Sequence, residues 1–416
     1  MNLSFVISAT AAEVFTYIGY VLLAILALMV MIVIHESGHY LAGKMLGFKI
    51  EEFAIGFGPA IFKKKLKSGE QFSLRPIPVG GFCSFKGEDE ENPDPEAFNN
   101  QKPWKRLIVL FSGAFFNFLS SIFFITLFFA IYGQVLPIVK EVKTSDSGYE
   151  TPFVEGDAIL AINGKQVNIM LPEDVELAFS KAGDVATFKV LRNGKAVKFE
   201  AKKDYFKVFQ EGDLIVKINN TELSKENYID PYKNPQKIED FLPSDTKEAS
   251  FKVLRGESEV SFSAQKNEKG NWCYKGYGVT RAIGVTKLPF FKALGRSFSF
   301  AFFVVFKILA SLGALLTGKV ALSSAGGTIT VVKTIAESTM MSFSNLLYVV
   351  AIISANLAVM NLLPIPALDG ARMVFTVIEW IRGKPLNRKV EGIIHTVGLI
   401  LLLVLAVFLD IFHLVS

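Results

Sequence analysis

Four stretches of this chain are long and apolar enough that only membrane-crossing helices accommodate them. They run roughly from Val14 to Met45, Leu107 to Tyr132, Phe343 to Leu363 and Ile393 to Val415. Each supplies the ~20 mostly apolar residues that cross ~30 Å of hydrocarbon, and a span without water must satisfy its own backbone, which a helix does. Composition agrees, with 51% hydrophobic residues and 38 Phe among 416. The net charge of +5 is a small difference between 44 basic and 39 acidic residues. Because they are interspersed rather than gathered in a stripe, they argue against a nucleic-acid partner. Two cysteines, Cys83 and Cys273, are too few for a disulfide framework. The first sixteen residues lack Lys and Arg, so they do not read as a signal peptide.

Lys and Arg set the orientation. The first loop carries Lys63, Lys64, Lys65, Lys67, Lys105 and Arg106, and the third carries Arg372, Arg382, Lys384, Arg388 and Lys389. Both loops are expected on the cytoplasmic side, with the termini and residues 133–290 outside. Cys83 and Cys273 then fall on opposite sides and cannot pair. A further apolar stretch, 297–316, is punctuated by Lys307 and flanked by Lys292, Arg296 and Lys319, a pattern that reads as an interfacial amphipathic segment lying on the membrane or dipping into it.

Residues 133–290 are polar, with strand-like alternation and Gly/Asn turns, and they repeat. Glu155-Gly-Asp-Ala-Ile-Leu-Ala-Ile-Asn-Gly164 is echoed by Glu211-Gly-Asp-Leu-Ile-Val-Lys-Ile-Asn-Asn220, and Phe188-Lys-Val-Leu-Arg192 by Phe251-Lys-Val-Leu-Arg255. Same-order repeats indicate two copies of one unit.

At the inner end of the first span stands His35-Glu36-Ser37-Gly38-His39. On a helix, positions i and i+4 share a face, so His35 and His39 offer two imidazole nitrogens to one metal ion. Glu36 can take a proton from the attacking water. Ionisable residues inside a span are expensive and mark function. A catalytic zinc takes three protein ligands, and Asp369, after the helix-breaking Pro364 and Pro366, is the expected third. His395, Asp410 and His413 are its rivals. Asn361 is expected to bind substrate backbone or to join an interhelical hydrogen bond. Asn117 reads as a packing residue.

These motifs resemble the site-2 protease family of intramembrane zinc metalloproteases, peptidase family M50, in its regulator of sigma-E protease branch. The likeness rests on H-E-x-x-H, Gly56-Phe-Gly-Pro59, Ala97-Phe-Asn-Asn-Gln-Lys102, the repeated insert and Asn361-Leu-Leu-Pro-Ile-Pro-Ala-Leu-Asp-Gly370. Ala114 and Ala371 depart from the usual Pro and Gly. The resemblance implies Zn2+ held by His35, His39 and Asp369, with Glu36 as catalytic base. It implies single-span substrates of the anti-sigma-factor type, already cut outside, and remnant signal peptides. The G-D-x-I-x-x-I-N pattern resembles tandem PDZ domains, which bind extended chains or act as a steric filter. Residues 72–82 look like the family's membrane-associated β-hairpin, which pairs with an unwound substrate.

The expected fold is therefore a polytopic α-helical protein of the bacterial inner membrane. It has four transmembrane helices, a tandem PDZ-like extracytoplasmic insert and a cytoplasmic-side β-hairpin. Its parts are 1–135 and 343–416 as the membrane core, PDZ-like units at 136–204 and 205–285, and an interfacial segment at 286–342. The rival reading is a zinc-binding transporter or metal sensor without peptidase activity.

Overall fold

The computed structural model describes residues 11–88, 90, 92–145, 147–243, 245–321 and 326–415. The start of the N-terminal leader and the side chain of His413 lie outside the described residues. The chain forms two compact units, Gln134–Thr286 and the sequence on either side of it.

The described residues open with helix α1 (Ala11–Leu46), which carries both histidines of the motif. A four-stranded sheet follows, made of β1 (Ile50–Phe57), β2 (Phe62–Lys65), β3 (Gln71–Leu74) and β4 (Ile77–Phe85). Its order is β2-β3-β1-β4. Residues 72–82 are therefore not one hairpin. They belong to β3, parallel to β1, and β4, antiparallel to β1 on its other side. The antiparallel hairpin is β2–β3. The alternating, Pro-bearing sequence suits either arrangement, and only the pairing partner tells them apart. The β2–β3 turn is tied to α1 at Glu70, whose carboxylate accepts from Lys44 Nζ at 2.9 Å, Tyr40 Oη at 2.7 Å and Ser68 Oγ at 2.8 Å. The Lys44 ammonium, helped by those hydroxyls, holds the Glu70 carboxyl down to about 2. This attachment is complete above the ordinary carboxylate range and is lost only as the pH falls toward 2.

Helix α2 (Pro103–Ile131) starts with proline at its first turn, where the missing N–H costs nothing. The insert begins with β5 (Gln134–Val142), β6 (Ala158–Ile162), β7 (Lys165–Gln166), helix α3 (Glu173–Ser180), β8 (Val185–Arg192) and β9 (Lys195–Lys202). It continues with β10 (Asp204–Lys207), β11 (Leu214–Ile218), β12 (Thr221–Glu222), β13 (Glu248–Arg255), β14 (Ser258–Lys266), β15 (Trp272–Gly276) and β16 (Val279–Thr286). Two sheets result, β16-β5-β6-β8-β9 with β7 on β6, and β10-β15-β14-β13-β11-β12. Each has its own core, around Ile159, Phe188 and Tyr277 in the first and around Ile215, Phe251 and Trp272 in the second.

The repeated motifs are explained by one interaction made twice. Arg192 grips buried Asp157 through two bonds of 2.8 and 2.7 Å, and Arg255 grips buried Asp213 with the same two lengths. Each arginine also donates to a backbone carbonyl, of Pro152 or Val208. Such two-pronged pairs are the strong, directional kind. The repeated asparagines, Asn163 and Asn219, take positive φ in the following turn. The final strand β16 pairs with β5 of the first sheet, so the second module is inserted into the first. A linear division at 204/205 does not anticipate this, because pairing across a whole module leaves no local mark.

The remaining helices are α4 (Phe290–Leu316), α5 (Thr328–Met341), α6 (Phe343–Leu362), α7 (Asp369–Arg382) and α8 (Arg388–Val415). Five helices, α1, α2, α4, α6 and α8, are long and apolar enough to cross a membrane by length and composition. That is one more than the four expected, and the addition is the stretch read as interfacial. Its first half packs on α2, with Ser297 Oγ 2.7 Å from Thr126 Oγ1 and Phe300 edge-on to Phe129. Its second half is apolar and exposed, as at Phe306 and Leu316. Lys292, Arg296 and Lys307 punctuate the sequence as an interfacial helix would, but Arg296 is buried, so the apolar stretch is longer than charge placement suggests. Asp410, near the end of α8, accepts from Ile329 N and Thr330 N and so caps the start of α5.

At the other end of the bundle, three elements are pinned by one carboxylate. Glu379 of α7 accepts from Arg106 of α2 at 2.6 Å, lies 2.6 Å from Arg388 of α8, and accepts from Leu386 N at 2.8 Å. Arg106 and Glu379 are 4% and 6% exposed, so removing one leaves the other charged and dry. Glu379→Ala is expected to destabilise the folded chain by about 3–5 kcal/mol, with Glu379→Gln milder because its amide still accepts from Leu386. Thermal unfolding in detergent compares them.

Candidate metal centre

His35 and His39 lie one turn apart on α1, with Nε2 atoms 3.1 Å apart and rings nearly perpendicular. Asp369 arrives from more than 300 residues further along the chain. Its Oδ2 sits 3.0 Å from His35 Nε2 and 3.3 Å from His39 Nε2. Among the described residues these three form the group of His, Cys, Asp and Glu atoms that could hold a metal ion. His395 and Asp410 are not in it, and the side chain of His413 lies outside the described residues.

The α1–α2 crossing makes room for the rings. A Cβ on Gly113 of α2 would stand 2.4 Å from His39 Nε2 and 2.7 Å from His35 Cε1, and one on Gly38 would stand 2.4 Å from Ser112 O. Small residues let helix backbones approach this closely. His39 Nδ1 lies 2.8 Å from the Val109 carbonyl of α2. With its proton on that nitrogen, the Nε2 lone pair faces Asp369. His35 Nδ1 has two amides at 3.4 Å, those of Asn117 and Asn361. Turning the Asn117 carbonyl toward it gives the His35 Nδ1–H an acceptor and satisfies Oδ1, which is otherwise buried without one. Ser354 Oγ donates to Asn117 O at 2.9 Å and steadies α6 against α2.

The turn that delivers Asp369 is irregular. After α6 ends at Leu362, Ile365 N donates to Leu363 O at 2.7 Å and Leu368 N to Ile365 O at 3.1 Å. Ala367 sits at φ +79°, in the left-handed region, a conformation that costs a non-glycine residue about 1–3 kcal/mol. Asp369 then opens α7 as its first residue.

Glu36 is half-buried, within electrostatic reach of both imidazoles and Asp369. Its Oε2 accepts from Cys83 N at 3.0 Å. Cys83 belongs to β4, an edge strand, so the sheet presents its free edge to α1 beside Glu36. Neither cysteine is in a disulfide, and both are buried.

The donor set fits zinc. Bonds of about 2.0–2.1 Å in a tetrahedral site put ligand atoms about 3.3–3.4 Å apart, close to the 3.0–3.3 Å triangle seen here. Two imidazole nitrogens and a carboxylate with a free fourth direction are the ligand number of a catalytic site.

A profile of peptidase family M50 matches residues 23–405, and the chain belongs to that family, the membrane-embedded zinc metalloproteases of the site-2 type. It is 28% identical over 450 residues to "Regulator of sigma E protease" of Haemophilus influenzae, covering 92% of this chain and 96% of that one. A "Putative zinc metalloprotease" of Clostridium acetobutylicum is 27% identical over 391 residues, covering 94% and 96%.

The sequence by itself assigns Asn117 to packing and marks neither Gly113 nor the Cys83 amide. Gly113 and Asn117 stand four apart on one face of a span, a signal legible only once α1 is known to lie across that face. Gly113→Ala is expected to cut zinc stoichiometry well below one per folded chain while secondary structure persists. Metal analysis beside circular dichroism of the purified protein checks this.

Proposed function

We propose that this protein hydrolyses a peptide bond within the transmembrane segment of a single-span membrane protein, with His35, His39 and Asp369 holding Zn2+ and Glu36 as catalytic base. The observation that supports this best is the meeting of the His-Glu-x-x-His face of α1 with the Asp369 turn. When bound, zinc would supply a Lewis acid for the water and the scissile carbonyl. Glu36 stands one residue from His35 with Oε2 held by the Cys83 amide. Oε1 is then the atom that takes the proton of the attacking water and hands it to the leaving amine. Asn361, from the helix before Asp369, supports the substrate backbone or the His35 ring.

A transmembrane helix must unwind before its peptide bonds reach a nucleophile. The free edge of β4, with its Cys83 N–H already turned to Glu36, suits an extended segment added as a further strand. The insert is read as a PDZ-like pair. Within it a cavity of about 820 Å³ is lined by Glu173 and Glu176 of α3, Arg281 of β16, and Phe262 and Tyr274 of the second module. That lining favours peptide binding there. The name of the Haemophilus influenzae relative ties that protein to sigma E regulation; single-span substrates of the anti-sigma-factor type and remnant signal peptides are the substrates proposed for the same site. The location proposed is the bacterial inner membrane, in contact with the lipid bilayer, with the basic loops cytoplasmic and the insert periplasmic.

A zinc transporter or sensor built on the same ligands needs no base and tolerates loss of Glu36. Glu36→Gln is expected to abolish cleavage of a reporter transmembrane segment, by at least about 10²-fold, with zinc still near one per chain. A fully active Gln variant would sink the protease reading.

The buried native cysteines cannot report sidedness, so exposed positions are used. Lys269→Cys is expected to react with an impermeant thiol reagent in spheroplasts, and Lys67→Cys only after lysis. The reverse pattern overturns the orientation.

A further inference from the structure

α8 touches the Asp369 turn at two points that neither metal binding nor base catalysis uses. His395 Nδ1 accepts from Ala367 N at 3.0 Å. That makes its neutral form the tautomer with the proton on Nε2. Its ring lies edge-on to Phe375 of α7, centroids 5.6 Å apart. One turn on, a Cβ at Gly398 would fall 2.3 Å from Pro366 Cβ and 2.9 Å from Pro366 O, so the bare backbone of α8 abuts the turn. The amide that His395 grips belongs to the residue held at positive φ, two positions before Asp369.

A non-glycine residue remains in that region only if its surroundings hold it there. Were Ala367 to relax to negative φ, the direction of the chain into α7 would change, and Asp369 Oδ2 would leave the two imidazoles. Ala367 N has no helical carbonyl to bond, because it stands ahead of the first turn of α7. The acceptor has to come from another element, and α8 provides it.

We propose that His395 is a positioning residue: by accepting from Ala367 N it keeps the turn in its left-handed form and Asp369 Oδ2 aimed at His35 and His39. The hydrogen bond makes the third ligand depend on where α8 lies. Displacing α8 from the turn loosens zinc, and a metal-bound centre in turn favours α8 in contact. This rests on the zinc assignment of the preceding subsection.

The test is zinc affinity of the purified full chain, stripped of metal and titrated against a chromophoric chelator. His395→Leu fills the ring volume without an acceptor. It is expected to weaken zinc binding about 10- to 100-fold, the usual effect of losing a group that orients a ligand. His395→Asn, whose Oδ1 occupies the place of Nδ1, is expected to recover most of that loss. In the Leu background, Ala367→Gly is expected to recover part of it, because glycine takes positive φ without strain. If the Leu chain does not fold, His395→Ala makes the same comparison. Wild-type affinity in the Leu variant, or an Asn variant as weak as Leu, overturns the inference and reduces His395 to packing against Phe375. A wild-type chain that binds no zinc instead sinks the zinc centre itself, so the two failures are distinguishable.

Discussion

Two imidazole nitrogens and a carboxylate oxygen converge to within 3.3 Å of one another inside an apolar bundle, and the rest of the membrane unit is arranged around that convergence. Polar groups in such a place are tolerated only when they are paired with each other or with an ion. α1 brings two of them on one face, but the third comes from a turn near the other end of the sequence. The α1–α2 crossing is close because Gly38 and Gly113 leave nothing between the backbones, and α6 is joined to α2 through Ser354 and Asn117. The Arg106–Glu379–Arg388 cluster fixes α7 and α8, so the turn has a rigid element on each side. Association of helices in lipid gains little from apolar burial, which is why these few polar and small-residue contacts carry so much of the geometry.

The insert solves its folding problem differently. In water, each module closes a core of its own, and each buries one aspartate that an arginine holds by two bonds. The repeated motifs are thus structural, since Asp157 and Asp213 are far inside and fully engaged. Beside them lie a cavity lined by both modules, Arg255 among its residues, and the edge strand β16. The insertion of one module within the other also returns the chain to β5, beside its point of departure, before α4 begins.

The assignments that changed share a cause. Residues 72–82 divide between two strands that share the partner β1. The final strand of the first module lies after the second. In each case the local pattern was compatible with two arrangements, and long-range pairing selected one. Asn117 keeps its reading and gains a named partner. Its type and place in an apolar helix suit an interhelical hydrogen bond, and the structure supplies a partner that the sequence could not name, a histidine 82 residues away.

Sequence alone determined what depends on spacing along one element. The apolar runs specify helices because lipid offers no other partner for the backbone, and the i, i+4 histidines share a face because an α-helix has 3.6 residues per turn. The prolines before Asp369 announce a break, and the doubled Gly-Asp and Val-Leu-Arg motifs announce a repeat. Tertiary structure alone decided which elements meet. Gly113 matters because α1 crosses there, the Cys83 amide because β4 is an edge, and His395 because α8 returns against a turn that its own residues do not contain. Distances between residues remote in sequence are set by the packing of whole helices and sheets, and no local run of side chains encodes them.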